Sequence, residues 1–402
     1  MSLRIAHLHW GFPPIIGGVE THLMMLLPEM VKRGHSVGLL TGSVEGTPER
    51  QELGGVTVCR SPLLDLNWLY KRGIAGLEEE VAGAYERFFD EIQPDLIHAH
   101  NMHYFSDVHA TRLEQQARAR AVPLVLTVHN VWDDILFLRL TRDIAWTHIL
   151  AVSHYIKMEL IGVGIDEQRI TTVHHGVDVK AFHPNVSPDR MLDRYPQLKG
   201  KPVILHPARM GMAKGCDVTI KAMTLVRERV PDAMLVLTGT KNIIDWGLSQ
   251  EKDIAYLLDL IKLLGLKDNV VVDVFPLCDM PELYSVADVV VYPSSMPEPF
   301  GLTMLEALAS GKPIIVSRTG GMPEIIQDAI DGYVIPARDF EALGARIIGL
   351  LENEKLRRRL GTTGREVARV HYAKEMMAER NLEIYSRVLD REHETLNPSI
   401  ER

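Results

Sequence analysis

The sequence predicts an α/β protein built from two parallel-sheet domains, and three features carry that expectation. Both halves of the 402-residue chain repeat the order apolar strand, loop, helix, strand, the pattern of parallel sheets with helical crossovers. A polar, proline-bearing interval, residues 182–201, separates the halves. The length suits two or three domains at roughly 150 residues each.

Composition narrows the class. Hydrophobic residues make up 46% and charged residues 24%, ordinary for a globular chain, and the net charge of −9 disfavours bulk nucleic-acid binding. Cys59, Cys216 and Cys278 are scattered without metal-ligand spacing, which argues for a reducing compartment and no disulfide framework. The N-terminus turns polar too soon for a signal peptide, and no run approaches the ~20 apolar residues that span a bilayer. A cytoplasmic protein is expected.

In the first half, Leu3 to His9 reads as the opening strand. Trp10 to Val19 forms a loop with Gly17 and Gly18 just before a helix, Glu20 to Arg33, whose Leu23, Leu26, Leu27 and Met30 share one face. Gly34 ends the helix and Ser36 to Thr41 is the next strand. Val56 to Arg60 is a strand and Ala75 to Ile92 a helix. Asp95 to His100, Pro123 to His129 and Thr147 to Val152 are strands, and Ser153 caps the helix that follows. His98, His100 and His103 gather near one strand end without a cysteine or carboxylate pattern, so they read as hydrogen-bonded fillers before metal ligands. His129 stands at the C-terminal end of its strand, where open α/β sheets bind ligands. Asp133 and Asp134 read as a solvated helix start.

The second half restarts at Val203 to His206, with a loop carrying Arg209 and Lys214 and a helix from Asp217 to Arg229. Ala233 to Gly239 and Val270 to Phe275 are strands, Ile254 to Leu264 and Pro281 to Val286 helices. Ala287 to Pro293 is a short buried strand, and Pro297 to Gly301 turns into a helix from Leu302 to Ala309. That turn puts Glu298 in the loop and Glu306 on the helix. Its amides at Phe300, Gly301 and Leu302, with a helix dipole behind them, suit a phosphate. Arg209 and Lys214 can bring two positive charges to a diphosphate. Glu306 can accept ribose hydroxyls and Glu298 those of a second polyol. Together these residues describe a site for a nucleoside diphosphate carrying a sugar.

The Glu298 to Glu306 stretch resembles the E-x7-E signature of retaining family-four (group 1) glycosyltransferases of the GT-B fold. Gly17-Gly18-Val19-Glu20-Thr21-His22 is similar to the family's N-terminal glycine loop, and Thr127-Val128-His129 to its catalytic-region histidine. Gly176-Val177-Asp178, Arg209 with Lys214-Gly215, and Gly320-Gly321 with Pro323-Glu324 resemble further family segments in the family's order. His175 departs from the usual Asn, His206-Pro207-Ala208 from Val-Gly, and Phe275 to Cys278 from a common glycine. The last departure bears on which base is recognised.

The resemblance implies two Rossmann-like domains with parallel sheets facing a central cleft. Expected boundaries are an acceptor-side domain at 1–182, a linker at 183–200, a nucleotide-sugar domain at 201–373, and a helical segment at 374–402 that packs back towards the first domain. The implied activity is retaining transfer of a hexose-type sugar to an acceptor hydroxyl, from a UDP-sugar by preference or from GDP-mannose. The implied catalytic residues are His129, Glu298, Arg209 and Lys214. Donor binding would fall to Gly17, Gly18, Phe300, Gly301, Leu302 and Glu306. No metal and no cofactor are expected, since the nucleotide sugar is a substrate. The acceptor could be a small molecule, a glycan or a lipid-linked chain. Trp68 to Arg72 and Phe137 to Arg139 mix apolar and basic side chains, which fits either a weak peripheral membrane contact or packing at a rim. A GT-B nucleotide-sugar epimerase and a non-catalytic nucleotide-sugar-binding protein are the alternatives.

Overall fold

The computed structural model describes residues 2–131, 134–239 and 249–396. Two compact units make up the chain: Met1–His175 together with Lys374–Arg402, and Gly176–Ala373. Asp133 and residues 397–402 lie outside the described residues.

The first unit holds an eight-stranded sheet. Its strands are β1 Arg4–Leu8, β2 Ser36–Gly42, β3 Arg50–Leu53, β4 Val56–Ser61, β5 Leu96–His100, β6 Leu124–Val128, β7 His148–Ala151 and β8 Ile170–Thr172. They lie in the order β3-β4-β2-β1-β5-β6-β7-β8, all parallel except the edge pair β3–β4. Central strands buried on both faces explain the continuous apolar runs. The helix Gly18–Lys32 puts Leu23, Leu26, Leu27 and Met30 against Val37, Leu39, Met377, Ala378 and Tyr385. Each fully buried side chain of this kind contributes about 1.5–3 kcal/mol. The C-terminal helix Lys374–Leu396 is therefore core of this unit, and its Tyr385 hydroxyl sits 2.5 Å from His98 Nδ1.

The second unit holds an all-parallel six-stranded sheet. Its strands are β9 Val203–His206, β10 Met234–Gly239, β11 Val270–Val274, β12 Val289–Tyr292, β13 Ile314–Ser317 and β14 Gly332–Ile335, in the order β11-β10-β9-β12-β13-β14. The interval expected to be a linker is built into this unit. Arg365 donates to the carbonyls of Val179, Phe182 and Ala309, Val177 N to Tyr372 O, and Arg190 binds Asp279 and Glu282 from the helix Asp189–Arg194. The boundary falls at 175/176 rather than 182 because these bonds hold residues after His175 to the second sheet's helices.

Sequential strand order breaks between β1 and β5 in the first sheet and between β9 and β12 in the second. Loops leaving the carboxyl ends of two such strands run to opposite faces and open a crevice between them, where ligands bind in this architecture. No described helix is long and apolar enough to cross a membrane.

Candidate active site

In the second unit, the crevice-forming strands are β9 and β12. The loop after β9 carries Arg209 and Lys214, and the loop after β12 carries Glu298. Lys214 Nζ lies 2.6 Å from Glu298 Oε2, with the two side chains 24% and 14% exposed. The Tyr292 hydroxyl, at the end of β12, donates to the same oxygen at 2.7 Å. Burial opposes the Lys214 charge, but Tyr292 and Glu298 outweigh it and hold the ammonium above its ordinary range. Arg209 is exposed on the same loop.

Gly301 takes a left-handed backbone, φ 88°, as N-cap of the helix Leu302–Ala309. That helix places Glu306 at the start of its second turn, where the Tyr284 hydroxyl donates to its Oε2 at 2.8 Å. Burial pushes the Glu306 carboxyl up to about 7, partly offset by the bond from Tyr284. Each carboxylate is thus fixed through one oxygen by a tyrosine, while Glu298 Oε1 and Glu306 Oε1 accept no hydrogen bond among the described residues. Phe300 is buried and anchors the turn between them.

A third loop braces this arrangement. Gly321 N donates to Glu298 O at 2.8 Å. Gly320 has φ 55°, and a Cβ there would stand 2.2 Å from the same carbonyl oxygen. The Gly-Gly pair after β13 is therefore the backbone support of Glu298.

In the first unit, β1 and β5 flank the crevice. Gly17 is the extended N-cap of the helix Gly18–Lys32. The Glu20 carboxylate folds over it, so that a Cβ on Gly17 would meet Oε2 at 2.4 Å. Glu20 Oε1 also lies 3.2 Å from His9 Nε2. His129 follows β6, with its amide donating to Asn101 Oδ1 at 2.8 Å. Its ring is engaged at both nitrogens, Nε2 with His100 Nδ1 at 3.0 Å and Nδ1 with His175 Nε2 at 3.4 Å. Burial, then the neighbouring His175, keeps His129 well below the usual histidine range and so neutral. His98 and His100 share a face of β5 as alternation requires, but His103 lies apart, bonded to Asn130 O at 3.0 Å.

Each unit thus gathers its own predicted residues: Lys214, Glu298, Gly301 and Glu306 in the second, Gly17, Gly18 and His129 in the first. Tyr284 and Tyr292 escaped sequence reasoning, whereas His100 is the hydrogen-bonded filler expected of it. A tyrosine at the end of an apolar strand six residues before Glu298 was the available signal for Tyr292.

Comparison with known proteins follows the same division. Residues 16–181 match the model of Glycosyltransferase Family 4, and residues 190–367 that of Glycosyl transferases group 1. An uncharacterized glycosyltransferase of Methanocaldococcus jannaschii is 26% identical, over 95% of this chain and 98% of its own. A GDP-mannose-dependent phosphatidylinositol monomannoside mannosyltransferase of Mycolicibacterium smegmatis is 26% identical, over 89% and 91%. The Anabaena HepE structure in complex with UDP and glucose superposes with TM-score 0.77 at 20% identity, covering 96% of this chain and 99% of that one. With both family models matched in order and the fold shared across the whole chain, this protein belongs to the group 1 glycosyltransferases of the GT-B fold.

Proposed function

We propose that this enzyme moves a hexose-type sugar from a nucleoside diphosphate to an acceptor hydroxyl with retention of configuration, and that its donor is a UDP-sugar. Two tyrosine-braced carboxylates, Glu298 paired to Lys214 and Glu306 on the following helix, carry this reading. Lys214 and Arg209 take the diphosphate, joined by the amides around Gly301, as charge grows on its oxygens. Glu298 Oε1 accepts hydroxyls of the sugar and Glu306 those of the ribose.

In the reacting complex the bond between the anomeric carbon and the β-phosphate oxygen breaks as the acceptor oxygen attacks from the same face. A phosphate oxygen takes the acceptor proton, so the site requires no protein base, and the leaving diphosphate keeps the bonding electron pair. The cations and helix amides do the charge work that a divalent metal does elsewhere, so transfer proceeds without one. The UDP named in the Anabaena complex supports the donor base, while the mycobacterial relative named for GDP-mannose supplies the competing donor. The chemistry of the acceptor follows from the product.

Thermal shift against UDP-, GDP- and ADP-sugars identifies the donor, and mass spectrometry of the products identifies the acceptor. The anomeric proton coupling of the product reports configuration. Stabilisation by a UDP-sugar and an axial product linkage from an axial donor are expected. Isomerised donor with no new glycoside would replace this reading with epimerisation.

A further inference from the structure

The loop after β9 carries both cations of the second unit's site, and its two ends are anchored firmly. At its start the Thr238 hydroxyl donates to Ala208 O at 3.1 Å. At its end Ser295 N and the Ser294 hydroxyl both donate to Ala213 O, at 2.9 and 3.0 Å. Gly215, at φ 74°, runs so close to Pro293 that a Cβ would stand 1.9 Å from the Pro293 carbonyl oxygen. Lys214 stands at this fixed end and is itself tied to Glu298.

Arg209 stands in the stretch between. Among the described residues its guanidinium makes no hydrogen bond or ion pair, so its placement depends on the backbone that carries it. Met210, 4% exposed, seats that backbone on the core. Residues 209–212 have one hydrogen bond to a side-chain oxygen among the described residues: Met212 N donates to Asp253 Oδ2 at 2.9 Å. The acceptor is ionised, which strengthens the bond. Asp253 lies half-buried on the helix Ser249–Leu263, whose Leu257, Leu260 and Ile261 are part of the second unit's core. The amide is thus tied to a fixed point.

The charge of Asp253 is the wrong one for a diphosphate site. A carboxylate beside the loop repels the anion that Arg209 and Lys214 attract. Its value to the site therefore lies in geometry, as one fixed acceptor for one loop amide.

We propose that Asp253 is a positioning residue for diphosphate binding: it holds residues 209–212 so that the Arg209 guanidinium meets the phosphoryl oxygens. Asp253 itself contacts no ligand and acts through Arg209. The ligand rests on the transferase reading above, whereas the bracing of the loop does not. Two measurements on the full chain separate them. Without ligand, hydrogen exchange across residues 208–215 should accelerate in Asp253→Ala and keep the wild-type rate in Asp253→Asn, whose side-chain carbonyl still accepts the Met212 N–H. Unchanged exchange in Asp253→Ala overturns the brace. In the second measurement UDP, GDP and ADP are titrated by calorimetry. The nucleotide that the wild type binds should bind Asp253→Ala about tenfold more weakly. Asp253→Asn should bind it at least as tightly as the wild type, because it keeps the acceptor and drops the repelling charge. Wild-type affinity in Asp253→Ala, or equal weakening in Asp253→Asn, overturns the positioning role. In an Arg209→Ala background, adding Asp253→Ala should weaken binding by about twofold or less, whereas a general structural lesion would repeat the whole tenfold loss. The whole loss in the double variant sinks the proposal. A wild type that binds none of the three nucleotides removes the donor reading and the diphosphate role with it, and the exchange result stands by itself.

Discussion

Lys214 Nζ and the Tyr292 hydroxyl converge on one oxygen of Glu298, at 2.6 and 2.7 Å, and leave the other oxygen open. The carboxylate is held in a fixed plane before any ligand arrives, the preorganisation that a transition state rewards. Lys214→Ala and Glu298→Ala should each lower transfer about 10²-fold or more while circular dichroism and melting stay close to wild type. Tyr292→Phe removes one hydrogen bond and should cost about tenfold or less. Steady-state product formation tests all three, and near-wild-type turnover in Lys214→Ala would remove these residues from the mechanism.

The Glu306 carboxyl, raised to about 7 by burial, is half protonated at neutral pH. Ribose hydroxyls donate to a carboxylate and lose that acceptor when it protonates. Nucleoside affinity should therefore fall as pH drops below about 7 and level off above it. The sign for folding is opposite. A carboxyl whose folded value lies above its unfolded 4.5 binds its proton more tightly in the native state, so its contribution to stability improves as pH falls from 7 towards 4.5. Uridine titrations, which carry no ionising phosphate, measure the first effect, and Glu306→Gln should flatten the profile.

Gly320 and Glu298 touch backbone to backbone. Gly320→Ala would place a methyl 2.2 Å from the Glu298 carbonyl in a left-handed conformation. The loop bearing Glu298 must move, and a displacement of about 1 Å can cost 10²-fold in rate. Transfer should fall by that order. Gly349→Ala, in open space within the helix Phe340–Glu352, is the control and should leave turnover unchanged. Equal activity in the two variants would contradict the bracing role.

Much of this was legible in the chain. Lys214, Glu298 and Glu306 stand in loops or helix starts directly after apolar runs, so their place at strand ends follows from local order. The α/β alternation likewise foretells both sheets. Tyr284 and Tyr292 were hidden because a tyrosine in an apolar segment looks like core until the fold shows where its hydroxyl points. The contacts among the buried histidines were hidden for a stronger reason. Alternation puts His98 and His100 on one face, but His7, His22 and His129 meet His100 from separate elements, and spacing carries no trace of that meeting. The stretch after His175 misled because a polar, proline-bearing segment has the same composition whether it is a solvated tether or a strap pinned by Arg365.

The histidines also set an acid limit on the first unit. Burial is the largest cause of lowered values at His7, His22 and His103, each to about 3, and at His109 and His148, each to about 4. Unfolding returns them to 6.5, so between 6.5 and the folded values the unfolded chain binds more protons. Their contribution to stability is complete above pH 6.5 and is lost progressively as pH falls towards 3 to 4. Each group removes up to about 1.4 kcal/mol per pH unit across that window. Several acting together outrun the ~5–15 kcal/mol of a typical domain within about two units. The first unit should unfold near pH 5. Trp146, buried in that unit, gives the signal. Its emission should shift cooperatively between about pH 5.5 and 4.5, with hydrogen exchange in β1, β5 and β6 collapsing over the same range. A Trp146 signal that stays native down to pH 4 would mean that burial does not hold these rings below the ordinary histidine range.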